Sequence, residues 1–382
     1  MTLIATSLRP IASVHAAPYN GGMLHVLDKA ADLKTWMTEH NEPAYRAAQV
    51  RRWLFERRAG DWADMSDLPK PLRAQLAESF SLWTTTIARH SKASDGTEKL
   101  LLMLGDGQQI ECVLLRDGIR RSICISTQVG CGMGCVFCAS GLDGVVRNLT
   151  SGEIVEQMLR LDRLLPEGER LSHIVVMGMG EPLANLPNLL AALDEASAEN
   201  GLGISSRRIT ISTVGLPPAM RKLSEHETHY QLAVSLHAPD DALRQQLVPV
   251  AKQIKLDDVL AEADHYFDLS GRRLTYEYVL LGGLNDRAEH AKRLAALLER
   301  RTAMLNVIPY NPVAGLPYRT PSPASTSTFC TILRRAGINV NVRFRKGDKI
   351  DAACGQLRRL AAGGKPNPKR PRLVSLNSGA AK

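Results

Sequence analysis

The stretch CISTQVGCGMGCVFC, residues 124–138, holds four of the seven cysteines of a 382-residue chain. Three of them, Cys131, Cys135 and Cys138, are spaced C-x3-C-x2-C, and Cys124 stands apart, upstream. The alternating run RRSICIST just before them reads as a strand, which puts the three close-set thiols on a glycine-bearing loop at a strand end. A structural zinc site is commonly announced by four ligands in two C-x2-C pairs. Here no fourth cysteine follows and no histidine is near. An iron–sulfur cluster with one iron left open to another ligand fits three cysteines better.

Beyond this loop, strand-like and helix-like segments alternate. LSHIVVMGM, RRITIST, YQLAVSLH, LTYEYVLL, MLNVIPYN and INVNVRFR continue the series begun by RRSICIST, with amphipathic pieces such as SGEIVEQMLRLDRLL between them. These periods predict an α/β fold in which a parallel sheet curls into a full or partial (β/α) barrel, with its chemistry at the C-terminal strand ends. The barrel is expected over 119–360. Upstream, 22–83 carries three helical runs and predicts a small helical accessory domain. Residues 84–118, with KLLLML and IECVLL around GDGQQ, predict a linking β-hairpin. Residues 1–21 read as a disordered extension and 361–382, containing KPNPKRPR, as a basic flexible tail.

Lysine and arginine together number 48 against 39 acidic residues, a formal charge of +9, which favours an anionic partner such as a nucleic acid. The second helical run sets Arg46, Arg51, Arg52, Arg57 and Arg58 around Trp53 and Phe55, either as a solvated basic face or as an RNA contact face. No apolar run approaches the roughly 18 to 20 residues that cross a bilayer, and the opening lacks the pattern of a signal peptide. An odd cysteine count argues against a secreted disulfide framework. These features predict a cytoplasmic protein without a membrane partner.

The cysteine loop after the first barrel strand resembles that of the radical S-adenosylmethionine (SAM) superfamily. VVMGMGEPLANL, with Gly178, Gly180 and Glu181, is similar to the superfamily's motif for the methionyl amino group of SAM. RNLTSGEI, RRITISTVG, LAVSLHAP, IPYNP and GDKIDAACGQL then resemble, in order, the signature segments of the RlmN/Cfr class of radical SAM adenosine methyltransferases, RlmN more than Cfr. The resemblance runs from about residue 24 to residue 358.

The resemblance implies a 4Fe-4S cluster on Cys131, Cys135 and Cys138, with SAM on the open iron and against Gly180, Glu181, Ser212, Ser235, Leu236, His237 and Asn311. It implies that Cys354 accepts a methyl group from one SAM and becomes S-methylcysteine. A second SAM then yields a 5′-deoxyadenosyl radical that takes hydrogen from this methyl, and the resulting carbon radical adds to adenine. Glu111 is implied as acceptor of the ring proton, and Cys124 as the thiol that releases the product through a transient disulfide with Cys354. The implied substrates are an adenosine of large-subunit ribosomal RNA and one of transfer RNA, methylated at C2. The implied electron donor is a flavodoxin or ferredoxin, and the enzyme is expected to be a monomer.

C8 methylation of the Cfr type uses the same residues and stays open on sequence, as does a non-catalytic Fe-S or zinc protein that binds RNA. The loop departs from the family's pattern at Gly132 and Gly134, where larger residues are usual. Cys112 and Cys330 match no motif and read as packing residues.

Overall fold

The computed structural model describes residues 23–343, 347 and 350–357. The expected N-terminal extension and basic tail lie outside them. The chain enters through β1 (Leu24–His25) and helices α1 (Leu33–Glu39), α2 (Tyr45–Phe55) and α3 (Lys70–Ser79), then returns through β2 (Phe80–Ser81), which pairs in parallel with β1. Leu72 and Leu76 of α3 and Val50 and Leu54 of α2 are buried at the four-residue spacing that sets one helical face against the core.

Strands β3 (Thr86–Lys92), β4 (Glu98–Met103), β5 (Gln109–Asp117) and β6 (Arg120–Cys124) follow as an antiparallel meander. The segment expected as a linking hairpin is thus three strands, and through β5 and β6 it is continuous with the main sheet. β3 is almost wholly exposed at the sheet edge, and its TIARHSK lacks the apolar alternation that marks a strand in sequence.

From β6 onward the sheet is parallel. A small antiparallel pair, β7 (Gln128–Gly130) and β8 (Val145–Asn148), brackets the cysteine loop. Then come α4 (Ser151–Asp162), β9 (His173–Val176), α5 (Leu186–Ser197), β10 (Ile209–Thr213), α6 (Pro217–Ser224), β11 (Gln231–Ser235), α7 (Asp241–Leu247), α8 (Leu256–Ser270), β12 (Leu274–Leu280), α9 (Ala288–Leu298), β13 (Ala303–Pro309), α10 (Pro323–Arg335) and β14 (Asn339–Val342). Among the described residues the main sheet has ten strands, ordered β14-β13-β12-β11-β10-β9-β6-β5-β4-β3. Each of the seven expected barrel strands forms, and the sheet stays open between β14 and β3, so the barrel is partial.

The helical module is clamped to the barrel by the arginines that the sequence offers as a basic face. Arg51 pairs with Glu195 at the end of α5, and Arg58 with Asp162 at the end of α4 at 2.7 Å. Arg52 pairs with Asp67, and Arg57 lies over the Trp53 ring. Much of this charge therefore serves docking and local packing.

Candidate active site

Two cavities open at the C-terminal ends of the parallel strands and meet at Cys354. The central one, of about 150 Å³, is lined by Cys131, Cys135 and Cys138 on one side and by Gly180, Glu181, Ser212, Ser235, His237 and Asn311 on the others. The second, of about 470 Å³, is lined by Cys124, Ser122, Asn341 and Arg343. Met177, Ile308, Asn311 and Cys354 line both.

The cysteine loop runs between β7 and β8. Its Val136 N–H donates to the Leu247 carbonyl of α7 (3.1 Å), and Ala139 N–H to the Gly355 carbonyl beside Cys354 (2.8 Å). Gly134 adopts a φ of 69°, a left-handed conformation, so glycine at this departure from the family pattern answers a backbone need. Among the described residues no three His, Cys, Asp or Glu side chains converge on a single metal ion. A cubane cluster asks for something else, since each cysteine binds a different iron, and three thiols spread along one cavity wall suit that demand. Burial pushes the Cys131 thiol up to about 12 and raises Cys135 and Cys138 as well.

Glu181 is committed to structure. Its carboxylate accepts from Thr213 Oγ1 (2.6 Å), Val214 N–H (3.0 Å) and Leu183 N–H (3.1 Å), which ties the turn after β9 to the turn after β10. Burial raises its pKa and these donors oppose the rise. His237 has a φ of 61°, and its Nδ1 accepts from Val279 N–H at 3.1 Å, which leaves the proton on Nε2. Burial takes its pKa down to about 3, so the imidazole is neutral at physiological pH. Ser212 Oγ lies 3.5 Å from Ser235 Oγ on the neighbouring strand. Leu236 is buried in the core and does not line the central cavity.

Cys354 is accessible from both cavities. Its dense surroundings raise the thiol pKa, and Arg343 opposes the rise by charge and by a hydrogen bond. Asn311 Nδ2 donates to the Cys354 carbonyl at 3.2 Å. Burial pushes Cys124 up to about 12, and its largest electrostatic partner is Cys354. Glu111 lines neither cavity. It lies on the same face of β5 as Val113, the register partner of Cys124, and pairs with buried Lys99 at 2.8 Å. The Lys99 ammonium also donates to the Asp351 carbonyl (3.0 Å), three residues before Cys354.

Sequence reasoning missed a polar row across the barrel. Ser235, Glu277, Asn306 and Asn341 are successive register partners on β11, β12, β13 and β14. Asn341 Nδ2 donates to Asn306 Oδ1, and Asn306 Nδ2 to Glu277 Oε1, each at 2.9 Å. Glu277 Oε2 and Asn311 Oδ1 are buried, have no partner among the described residues, and belong to lining residues of the central cavity. Two such acceptors suit a ligand rich in hydroxyl and amino donors, as a nucleoside is. Polar residues inside the apolar strands LTYEYVLL and MLNVIPYN are the signal that could have found them.

The fold and the cavity define a class that comparison with known proteins supports. Residues 125–295 match the Radical SAM superfamily, and residues 26–82 match the Ribosomal RNA large subunit methyltransferase N-terminal domain. A radical SAM methyltransferase from Sphaerobacter thermophilus superposes with a TM-score of 0.85 at 41% identity, covering 88% of this chain and 99% of that one. A probable dual-specificity RNA methyltransferase RlmN from Rhodopirellula baltica is 64% identical over 88% of this chain and 91% of its own length. Its counterpart from Symbiobacterium thermophilum is 47% identical over 88% and 90%. The chain belongs to the RlmN family of SAM-dependent RNA methyltransferases, whose cofactors are a 4Fe-4S cluster and SAM. Among the described residues no helix is long and apolar enough to cross a membrane.

Proposed function

We propose that this enzyme methylates C2 of an adenosine in large-subunit ribosomal RNA and of one in transfer RNA, through an S-methylcysteine at Cys354. The observation that carries the reading is Cys354 at the junction of the two cavities. Adenine C2, bonded to two ring nitrogens, is electron-poor and has no lone pair with which to attack a methylsulfonium. When bound, the cluster and SAM supply one-electron chemistry that makes an otherwise inert methyl C–H bond reactive.

In this reading Cys131, Cys135 and Cys138 hold the cluster. Gly180, Glu181, Ser212, Ser235, Leu236, His237 and Asn311 orient SAM. Arg343 draws the Cys354 thiol toward thiolate, the form that takes up a methyl group. The target adenine enters the second cavity, having left its stack as bases in RNA loops readily do. Glu111 lies on the Cys124 face of β5 but outside both cavities, so it accepts the ring proton through an intervening group. Once the adduct has given up its unpaired electron, which the bound cluster would take back, Cys124 thiolate attacks the Cys354 sulfur, the carbon–sulfur bond to the RNA breaks with its electron pair going to the methylene carbon, which takes up a proton to become the methyl group, and a Cys124–Cys354 disulfide remains. An external dithiol reduces this disulfide for the next turnover. A flavodoxin or ferredoxin supplies electrons, and the enzyme works as a monomer in the cytoplasm.

The test is methylation of both RNAs in vitro with SAM and a reductant, read by nucleoside mass spectrometry. 2-Methyladenosine in both is expected. 8-Methyladenosine overturns the assignment to C2, and product in one RNA alone overturns the dual substrate.

A further inference from the structure

Arg244 of α7 is among the largest fully buried side chains of the protein, with 1% of its surface exposed. Its Nη2 donates to the Val214 carbonyl, while Nε and Nη1 have no hydrogen-bond partner among the described residues. A guanidinium cannot shed its proton to escape this cost, so a buried one requires compensating negative charge. The nearby carboxylate, Asp241 on the same helix, accepts from Leu256 N–H at 2.9 Å. The group that favours the Arg244 charge most is the Cys135 sulfur, ahead of Asp241.

α7 holds Arg244 behind the cysteine loop. Its last residue, Leu247, accepts from Val136 N–H, one position after Cys135. Arg244 does not line the central cavity itself, so it approaches the wall of thiols from the far side, where Cys135 is the partner nearest in effect.

We propose that Arg244 is the buried counter-charge of the iron–sulfur cluster, its guanidinium set behind the Cys135 thiol with Nε–H and Nη1–H unspent. This rests on the reading that Cys131, Cys135 and Cys138 hold the cluster. A cluster core with two positive charges, held by three thiolates, is a net anion and becomes more so on taking up an electron. A fixed cation beside it therefore favours the reduced state and raises the potential at which the cluster accepts its electron, through the charge and sulfur hydrogen bonds that tune such centres.

The test uses full-length protein, reconstituted anaerobically without SAM. Iron and sulfide content are measured, and the cluster potential is followed by EPR-monitored redox titration. Arg244→Gln keeps N–H donors and removes charge, whereas Arg244→Lys keeps charge. A lower midpoint potential is expected in the Gln protein, with most of the wild-type value restored in the Lys protein. Equal potentials in wild type and Gln overturn the proposal, as does an equal drop in Gln and Lys.

A second measurement needs no variant that alters folding. In wild-type protein carrying isotopically labelled arginine, electron–nuclear double resonance of the reduced cluster should show coupling to guanidinium nitrogen, and its absence overturns the placement. Failure of the underlying reading looks different: a Cys135→Ala protein that keeps the wild-type cluster spectrum removes these cysteines as ligands, whatever Arg244 does.

Discussion

Cys124 ends β6 and Cys354 lies in the segment that follows β14, yet both thiols line one cavity, and the Cys354 sulfur adds to the resistance of Cys124 to ionisation. Cys354 also lines the cavity of the cluster cysteines, whereas Cys124 does not. Replacing Cys124 should therefore leave the cluster intact and stop product release. A Cys124→Ala protein is expected to keep wild-type iron content and to accumulate covalently attached RNA, seen as a retarded band in denaturing electrophoresis. Free methylated RNA formed at the wild-type rate removes Cys124 from the release step.

Release should also quicken as pH rises. Only thiolate attacks sulfur, and burial holds Cys124 up to about 12, so near neutrality almost all of it is protonated. Below that pKa each added pH unit gives roughly tenfold more thiolate. Decay of the RNA–protein adduct in single-turnover experiments should accelerate by close to this factor per pH unit, roughly a hundredfold across about pH 7 to 9. A flat profile means that another step limits release.

The difference in position between Cys124 and the other loop cysteines was legible as spacing, because a ligand set and a separate thiol are written differently in one loop. The parallel strands were legible for a similar local reason: β10 alternates buried and half-buried residues along ITIST, and a short turn ends each strand. What stayed hidden depended on distant partners. Nothing in PAYRAAQVRRWLFERR reveals that Arg51 and Arg58 will meet Glu195 and Asp162. Nothing in LTYEYVLL reveals that register will set Glu277 beside Asn306 and Ser235.

Lys99 should matter to the active site although it lines neither cavity. It neutralises buried Glu111 and holds the Asp351 carbonyl in the segment that carries Cys354. Lys99→Met takes the ammonium away from a buried carboxylate and should lower the unfolding temperature. The double change Lys99→Met with Glu111→Gln removes that charge as well and should recover much of the loss in thermal unfolding, while S-methylation of Cys354, a step that does not draw on Glu111, stays low because the hold on the Cys354 segment is absent. Recovery of Cys354 methylation, read by peptide mass spectrometry, together with stability shows that the Asp351 contact is dispensable.

Two glycines beside the candidate cofactor site should respond differently to the same added methyl group. Gly180 has a φ of 105°, and a Cβ there meets Gln128 Cβ at 2.7 Å and its backbone nitrogen at 2.8 Å. Gln128 cannot yield easily, since its side chain accepts from Glu181 N–H and donates to Asn148 Oδ1. Gly134 also has a positive φ, 69°, but its Cβ meets nothing nearer than Pro249 Cγ at 3.7 Å. Gly134→Ala therefore faces backbone strain alone, about 1–2 kcal/mol. Gly180→Ala adds a clash worth about 1–3 kcal/mol more and displaces the turn whose Glu181 links β9 to β10. Thermal denaturation of cluster-loaded protein should show the larger drop for Gly180→Ala, and SAM binding measured by equilibrium dialysis should fall with it. Equal drops for the two variants mean that Gln128 moves aside and that the turn is not the rigid seat its hydrogen bonds describe.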